Sequence, residues 1–406
     1  MIFRPLYLET IKSYIDKPFI KVLVGMRRTG KSTLLDGVRD ILLEQGVAPE
    51  KIVKINFESL DYVNIRTKLE FTNLIKGVLA GGGRHYLLLD ELQNIEGWDE
   101  VVNAVLADNA ADVYITGSNS KLLSSELSTH LTGRFVNIHV FPLNFTEYLD
   151  FKRARGAAIG DIGAEFNDYM TMGGFPVLHT AEYSLTQCDS IVADIYSSTI
   201  FRDLIERKNI RNTELLSRVV KYVFDNVGNT FSAQSIVDFL KSEQRKADIE
   251  TIYNYLDALE EVFVITRVAR YDLRGKNILK TNEKYFLGDI GLLYAVNGRN
   301  TSFIPGALEN IVLNELMSHG FSAYIGKNNQ KEIDFVAEKA GRKLYLQVTT
   351  SLGNPNTIER EFAAFEGISD NYPKYVLSLD RTWGENRNGI EQRFLPEFLL
   401  EELPRF

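Results

Sequence analysis

Residues 25–32 read Gly25-Met26-Arg27-Arg28-Thr29-Gly30-Lys31-Ser32 and fit the pattern G-x-x-x-x-G-K-[ST] at every position. The chemistry such a segment can do is phosphate binding. Its glycines let the backbone wrap closely, so that N–H groups converge on an anion. The N-terminus of the following helix, which starts at Ser32-Thr33, adds partial positive charge at the same place. Lys31 would neutralise the β- and γ-phosphates, and the Ser32 hydroxyl would complete the coordination of Mg²⁺. About 60 residues further on, Tyr86-Leu87-Leu88-Leu89-Asp90-Glu91 ends a buried strand in two carboxylates. Asp90 can hold Mg²⁺ through its water shell, and Glu91 can orient and deprotonate an attacking water. Binding and hydrolysis are therefore both expected.

Three other places could join that site. Ile115-Thr116-Gly117-Ser118-Asn119 ends a strand in polar residues. Asn119 or Ser118 fits a contact near the γ-phosphate, with Thr116 a weaker third choice and a plain turn the rival reading. Arg134 opens the next strand and suits an arginine finger, in cis or toward a neighbouring subunit, or an ordinary surface residue. Arg27 and Arg28 either add charge to the pocket or are simply solvated.

Elements must position these residues. The first ~150 residues alternate apolar strand-like runs with helical patterns, as βαβ units with a parallel sheet do. The expected strands are Phe19–Val24, Ile52–Phe57, His85–Asp90, Val113–Thr116 and Phe135–Phe141, with helices including Ser32–Gln45 and Trp98–Ala107. Runs such as Leu87-Leu88-Leu89 suit strands buried on both faces. From Asn144 the pattern becomes helical. Ser232–Leu240 and Ile249–Leu259 space their apolar residues as helices do, and strands follow at Val262–Ala269 and Lys284–Leu287 around the turn Asp272–Asn277. Helix, helix and hairpin is the order of a winged helix. Past Pro305-Gly306, a helix Leu308–Gly320 and strands Ser322–Gly326, Glu332–Ala337 and Lys343–Thr349 return to mixed α/β. The expected domains are 1–150, 151–303 and 304–406.

Composition narrows the classes. The 406 residues are 45% hydrophobic and 25% charged, the balance of a globular protein with room for two or three domains. One cysteine, Cys188, rules out a disulfide framework and a cysteine zinc site. Its polar, helix-like surroundings point to an inert thiol. The five histidines are scattered without metal-ligand spacing, and Trp98 reads as core. No apolar run approaches the ~20 residues that span a bilayer, and no signal peptide is evident, so no membrane role and a cytoplasmic location are expected. With a net charge of −8, nucleic-acid contact would need a local patch.

The segments RPLYLETI, GMRRTGKSTLL, LLLDELQNIEGWDE, YITGSNSKLLSSELSTHLTGRF and FPLNFTEYL together resemble a prokaryotic family of AAA+-like ATPases. YMTMGGFPVL, IYSSTIFRDLIERKNIRN and EIDFVAEKAGRKLYLQVTTSL extend the resemblance over nearly the whole chain. It implies an α/β fold with a P-loop NTPase core, ATP and Mg²⁺ as cofactors, ATP hydrolysis, and ring-like homo-oligomers. The biological task of the family is not defined by these motifs.

The later regions add partners and one more site. Between Thr266 and Tyr285 the chain has Arg267, Arg270, Arg274, Lys276, Lys280 and Lys284 against Asp272 and Glu283. Such a basic hairpin could touch the phosphates of duplex DNA. The helix 249–259 has no Lys or Arg and offers only Asn254 for base reading, so a protein partner is the other option. Glu309 in a helix, Asp334 in a strand and Gln347-Val348-Thr349 in the next resemble the PD-(D/E)XK nuclease layout, with Gln347 and Thr349 where that layout needs a carboxylate and a lysine. The expectation is a nuclease-like fold without activity. Three functions compete: an ATP-driven switch or motor, an ATP-dependent nuclease, and an ATP-bound regulator with little turnover.

Overall fold

The computed structural model describes residues 2, 4–120, 133–206, 208–275, 277–381 and 386–406, with the backbone alone at 279–282. The chain forms two compact units, residues 1–141 with 261–263, and residues 142–260 with 264–406.

The first unit is built on strands β1 (Ile20–Val24), β2 (Ile52–Asn56), β3 (His85–Asp90), β4 (Ala111–Gly117) and β5 (Phe135–His139). They pair in the order β2-β3-β4-β1-β5, all parallel. Helices α1 (Pro5–Lys12), α2 (Lys31–Glu44), α3 (Lys68–Leu79) and α4 (Trp98–Ala107) accompany them. Every residue of β1 and β4 is buried, as an all-parallel sheet covered on both faces requires. Ile20, Val22 and Val24 face one way with Leu87, Leu89, Val113 and Ile115. Leu23, Leu88 and Tyr114 face the other and receive Leu34, Leu35, Val38 and Leu42 of α2. Each such side chain contributes about 1.5–3 kcal/mol by burial, so the apolar stripe of α2 fixes the helix to the strand that precedes it. Because all five strands are parallel, their carboxyl ends share one edge, where open α/β sheets bind ligands. The loop after β1 and the acids after β3 meet there, separated by β4 alone.

The second unit begins with helices α5 (Phe145–Ala154), α6 (Ile162–Met172) and α7 (Leu185–Ser198). Then come α8 (Thr213–Asp225), α9 (Ala233–Ser242) and α10 (Ile249–Glu261), whose last residue belongs to the first unit. The hairpin β6 (Ile265–Asp272) and β7 (Asn277–Leu287) follows. β6 starts later than the sequence suggests because Phe263 takes a left-handed turn, φ 60°. After α11 (Gly291–Asn297) and α12 (Ile304–Ser318) come β8 (Ser322–Asn328), β9 (Lys331–Lys339), β10 (Arg342–Val348), α13 (Pro355–Ala363), β11 (Lys374–Ser378), β12 (Asn386–Arg387) and β13 (Ile390–Phe394). Pro305 lies in the first turn of α12, where its missing N–H costs nothing. The strands form one mixed sheet in the order β12-β13-β11-β10-β9-β8-β6-β7. The hairpin β6–β7 is thus the edge of the same sheet that contains Asp334 and Gln347. No helix among the described residues is long and apolar enough to cross a membrane.

Candidate functional site

The phosphate-type loop is shaped by backbone constraints. A Cβ on Gly25 would come 2.2 Å from the Val140 carbonyl oxygen, so only glycine lets β1 run on beside β5. Gly30 has φ 92° at the N-cap of α2, a left-handed turn that glycine makes without strain. Arg28 takes the same region at φ 69° and is exposed. Lys31, 4% exposed, turns its ammonium into the loop and donates to the carbonyls of Gly25 (2.8 Å) and Met26 (2.9 Å). The Thr29 hydroxyl also donates to Met26 O (2.9 Å). Arg27 lies 3.5 Å from Glu58, with most of its side chain covered.

Two neighbours of this loop are not evident from motif reading. Arg4, just before α1, is buried and donates to Thr29 O (3.0 Å) and Phe141 O (2.6 Å). Tyr7, under the Arg4 guanidinium, accepts from Phe141 N (3.0 Å). His139, at the end of β5 beside Val24, stacks with Phe141 and Phe263. Burial, then the charge of Lys31, pull its imidazole down to about 4, so it is neutral near the ammonium.

The acidic half is organised by Thr116. Its hydroxyl donates to Asp90 Oδ1 (2.5 Å) and accepts from Glu91 N (3.0 Å). The register that sets Leu89 beside Ile115 puts Thr116 level with Asp90. Asp90 is 1% exposed; burial pushes its carboxyl up, while hydroxyl bonds from Thr116 and Ser32 pull it down. Glu91 has φ 57°, a strained conformation for a side-chain residue that costs about 1–3 kcal/mol and recurs at functional sites. Gln93 Nε2 donates to the Glu91 carboxylate and fixes its direction. Thr116 and Gln93 flank the motif residues in sequence, but only the pairing of β3 with β4 and the turn after Glu91 reveal their roles.

Ser118 and Asn119 follow the end of β4, beside Val24 of β1, and both are buried. Ser118 Oγ has no hydrogen-bond partner among the described residues. A buried hydroxyl left unsatisfied at the loop's edge suits an incoming ligand oxygen. Thr33, half-buried in the first turn of α2, stands beside Ser32. Arg134 is not brought to this place. It precedes Phe135, which pairs with Ile20 at the start of β1, so it stands at the opposite edge of the sheet from the loop. Five residues of strand separate it from His139, roughly 16 Å. Its guanidinium cannot serve the phosphate site of its own sheet.

In the second unit Arg267 pairs with Asp257 and, at 3.0 Å, Glu260, and Arg270 lies 3.9 Å from Glu332. Two of the six basic residues, Arg267 and Arg270, are therefore matched by acids from α10 and β9. Arg274 is exposed in the turn, where Asp272 accepts from its backbone N–H, and Lys276 lies outside the described residues. Glu309, Asp334, Gln347 and Thr349 line one cavity of about 590 Å³. Gln347 Oε1 accepts from Asp334 N (3.2 Å), and Asp334 Oδ2 accepts from Val348 N (2.8 Å). Among the described residues no group of three or more His, Cys, Asp or Glu side chains could hold a metal ion. Cys188 is buried in α7, and burial pushes its thiol up.

Comparison with known proteins agrees with this geometry. Residues 17–149 match an AAA domain, and residues 163–302 match a domain of unknown function, DUF8612. An uncharacterized protein of Haemophilus influenzae is 38% identical over 404 residues, 99% of each chain. An uncharacterized protein of Methanocaldococcus jannaschii is 31% identical over 86% of this chain and 78% of its own. Among solved structures, a Walker-type ATPase of Pyrococcus abyssi shares the fold at 15% identity, with a TM-score of 0.51 over 73% of this chain and 96% of that one.

Proposed function

We propose, from the premise that this chain belongs to the family of its Haemophilus influenzae and Methanocaldococcus jannaschii relatives, that the protein binds and hydrolyses Mg·ATP and uses the cycle as a conformational switch or motor. The observation that carries this reading is the hydrogen-bonded chain Asp90–Thr116–Glu91 at the carboxyl edge of the parallel sheet, one strand away from the phosphate-type loop. Ser32 and, through water, Asp90 suit Mg²⁺, which when bound supplies neutralisation of the β- and γ-phosphate oxygens. Lys31 exchanges two neutral carbonyl partners for phosphate oxygens. Glu91, aimed by Gln93 and by its strained backbone, orients the attacking water and takes its proton. Ser118 and Asn119 stand where a γ-phosphate oxygen would need a donor. Arg134 serves only a neighbouring copy, which makes a homo-oligomer part of the reading.

In the second unit we read three helices and a hairpin as a winged-helix element whose strands continue into a nuclease-like sheet. The pairing of Arg267 and Arg270 leaves Arg274 and Lys276 to meet duplex DNA, and α10 offers no cation of its own. A protein partner is therefore the stronger reading for this element. Nuclease chemistry is disfavoured, since Gln347 is bonded to the β9 backbone and Thr349 has no charge.

The test is Mg²⁺-dependent ATP hydrolysis by the purified protein, with and without duplex DNA, using Lys31→Ala as the blank. Turnover that vanishes in the blank supports the ATPase. A several-fold rise with DNA would return the hairpin to DNA, while indifference to DNA would direct the search to a protein. A wild type no faster than the blank would sink the reading.

A further inference from the structure

One buried cation beside the phosphate-type loop lies outside the motif. Arg4 stands at the N-cap of α1, in the extended conformation that Pro5 imposes on the residue before it, φ −109° and ψ 93°. Tyr7 and Ile11 of that helix bury in the same layer as Leu34, Leu35 and Val38 of α2. The helix is therefore fixed to the first unit and carries the Arg4 guanidinium to the loop. There Nη1 donates to Thr29 O at 3.0 Å and to Phe141 O at 2.6 Å, over the Tyr7 ring. Tyr7 Oη accepts from Phe141 N at 3.0 Å, so both backbone groups of Phe141 are held from this end of the chain.

These bonds close a ring. The loop leaves β1 at Val24, whose carbonyl accepts from Val140 N at 2.7 Å. It runs on to Thr29, which Arg4 ties back to Phe141, the residue after Val140. Both ends of segment 24–29 therefore rest on residues 140 and 141. The peptide plane adds a second constraint. In a trans peptide the C=O and the N–H point in opposite directions. With Thr29 O turned onto Arg4, the N–H of Gly30 is aimed away from the guanidinium. A loop that cradles an anion needs this arrangement, with its N–H groups inward and its carbonyls outward. The outward carbonyl of Thr29 is buried, so it also needs a donor, and Arg4 is that donor.

We propose that Arg4 is a positioning residue of the nucleotide site, with α1 as the strap that holds it. The guanidinium keeps the loop in its anion-binding form before a ligand arrives. This role rests on the nucleotide reading of the loop, and it favours ATP and ADP alike, since both bring a β-phosphate to the same N–H groups. Its signature is a change in affinity and not in the rate of the chemical step, because Asp90, Thr116 and Glu91 are untouched. Coupling is also reciprocal. A strap that tightens nucleotide binding is itself tightened by nucleotide.

The experiment measures Kd for ADP by calorimetry, and KM and kcat for ATP, on full-length wild type, Arg4→Met and Arg4→Lys. Arg4→Met fills much of the same space without a donor. Its Kd and KM should both rise at least about tenfold, as the loss of bonds from a charged donor implies, with kcat changed less than about threefold. Arg4→Lys keeps a charge that can serve one of the two carbonyls and should fall between. Amide hydrogen exchange gives a readout that a merely structural role would not move. ADP should slow exchange at Tyr7 and Leu8, whose N–H groups donate to Arg4 O, in the wild type and not in Arg4→Met. A folded Arg4→Met with unchanged Kd overturns the proposal, and so does a loss confined to kcat or a wild type whose α1 exchange ignores ADP. If Arg4→Met does not fold, Arg4→Lys decides: weaker binding supports the strap, and wild-type affinity overturns it. A wild type that binds neither nucleotide sinks the nucleotide reading and the strap together, whereas a wild type that binds ADP as tightly as its Arg4 variants do sinks the strap alone.

Discussion

Lys31 and Lys284 are both buried ammonium groups, and the two units handle them in opposite ways. In the first unit Lys31 donates to the neutral carbonyls of Gly25 and Met26, while Asp90 is held by the hydroxyl of Thr116. Cation and anion each have a neutral partner that a ligand can replace. In the second unit Lys284 lies directly on Glu309 and Glu332, so its partners are charged groups of the protein itself. A neutral bond is cheap to exchange for a phosphate, whereas parting a buried ion pair costs about 3–5 kcal/mol. The first arrangement is poised for a ligand and the second is satisfied without one.

The largest expected effect breaks this comparison on the first side. Glu91→Gln keeps the shape and the bond to Gln93 but removes the base, so turnover should fall by ~10²–10⁴-fold while ATP is still retained by the protein. Turnover rates and nucleotide retention on a filter check both halves. A variant as fast as wild type would mean that Glu91 is not the base.

A third lysine sharpens the contrast. Lys21 is fully buried in β1, donates to Asp112, and is 3.2 Å from Lys17 O. Burial pulls its ammonium down in spite of Asp112. Asp112 also accepts from Tyr114 Oη (2.8 Å) and Asp16 N (3.1 Å). This pair stands near the start of β1, at the far end of the strand from the phosphate-type loop, and its measurable effect is on stability. Asp112→Ala should destabilise the protein by about 3–5 kcal/mol, because it strands a buried charge. Urea unfolding reads this, and a loss below ~1 kcal/mol would show that the lysine simply deprotonates.

Smaller still is Thr116→Val, which removes the hydroxyl between Asp90 and Glu91 with little change of shape. Hydrogen bonds to charged groups are worth about 1.5–3 kcal/mol, so turnover should drop roughly 10- to 100-fold. The loss should appear in the rate at saturating ATP more than in ATP affinity, since Lys31 and the loop are untouched. Equal turnover would leave Thr116 as packing.

These residues also show what the sequence makes legible. The loop 25–32, Asp90-Glu91 and the five strands are local patterns, and the structure places them within a residue or two of expectation at most ends. Arg4 and Thr116 act over 25 and 26 residues of chain, through a pairing no local pattern encodes. The pairing of two of the hairpin's arginines was hidden for the same reason. Asp257, Glu260 and Glu332, which face Arg267 and Arg270, come from other elements. Gln347 and Thr349 were visible as departures from a nuclease pattern, but the lysine that lies on Glu309 stands on β7, 25 residues before it. The short strands β11–β13 gave no pattern distinct from loops, and only sheet pairing defines them.

The smallest expected effect tests what a buried carboxylate does when it has no lysine. Glu315 lies on α12, as Glu309 does, and is fully buried. Its Oε1 accepts from Phe145 N (2.6 Å) at the start of α5, its Oε2 has no hydrogen-bond partner among the described residues, and His319 Nδ1 is 3.8 Å away. Burial, and then the charge of Glu147, push its carboxyl up to about 8, against the bond from Phe145. Burial pulls the His319 imidazole down, which favours its neutral form over a counter-charge for Glu315. A carboxyl raised in the fold favours the protonated folded form. Its contribution to stability is complete below the unfolded value, about 4.3, and is lost as pH rises through about 8. Glu315→Gln keeps an acceptor for Phe145 and cannot ionise. Relative to wild type it should therefore gain on the order of 1 kcal/mol between pH 6 and pH 9, read as a widening difference in melting temperature. A difference that stays flat would mean that Glu315 is ionised throughout, paired by a donor such as water, and that burial without a lysine does not suffice to keep a carboxyl protonated in this helix.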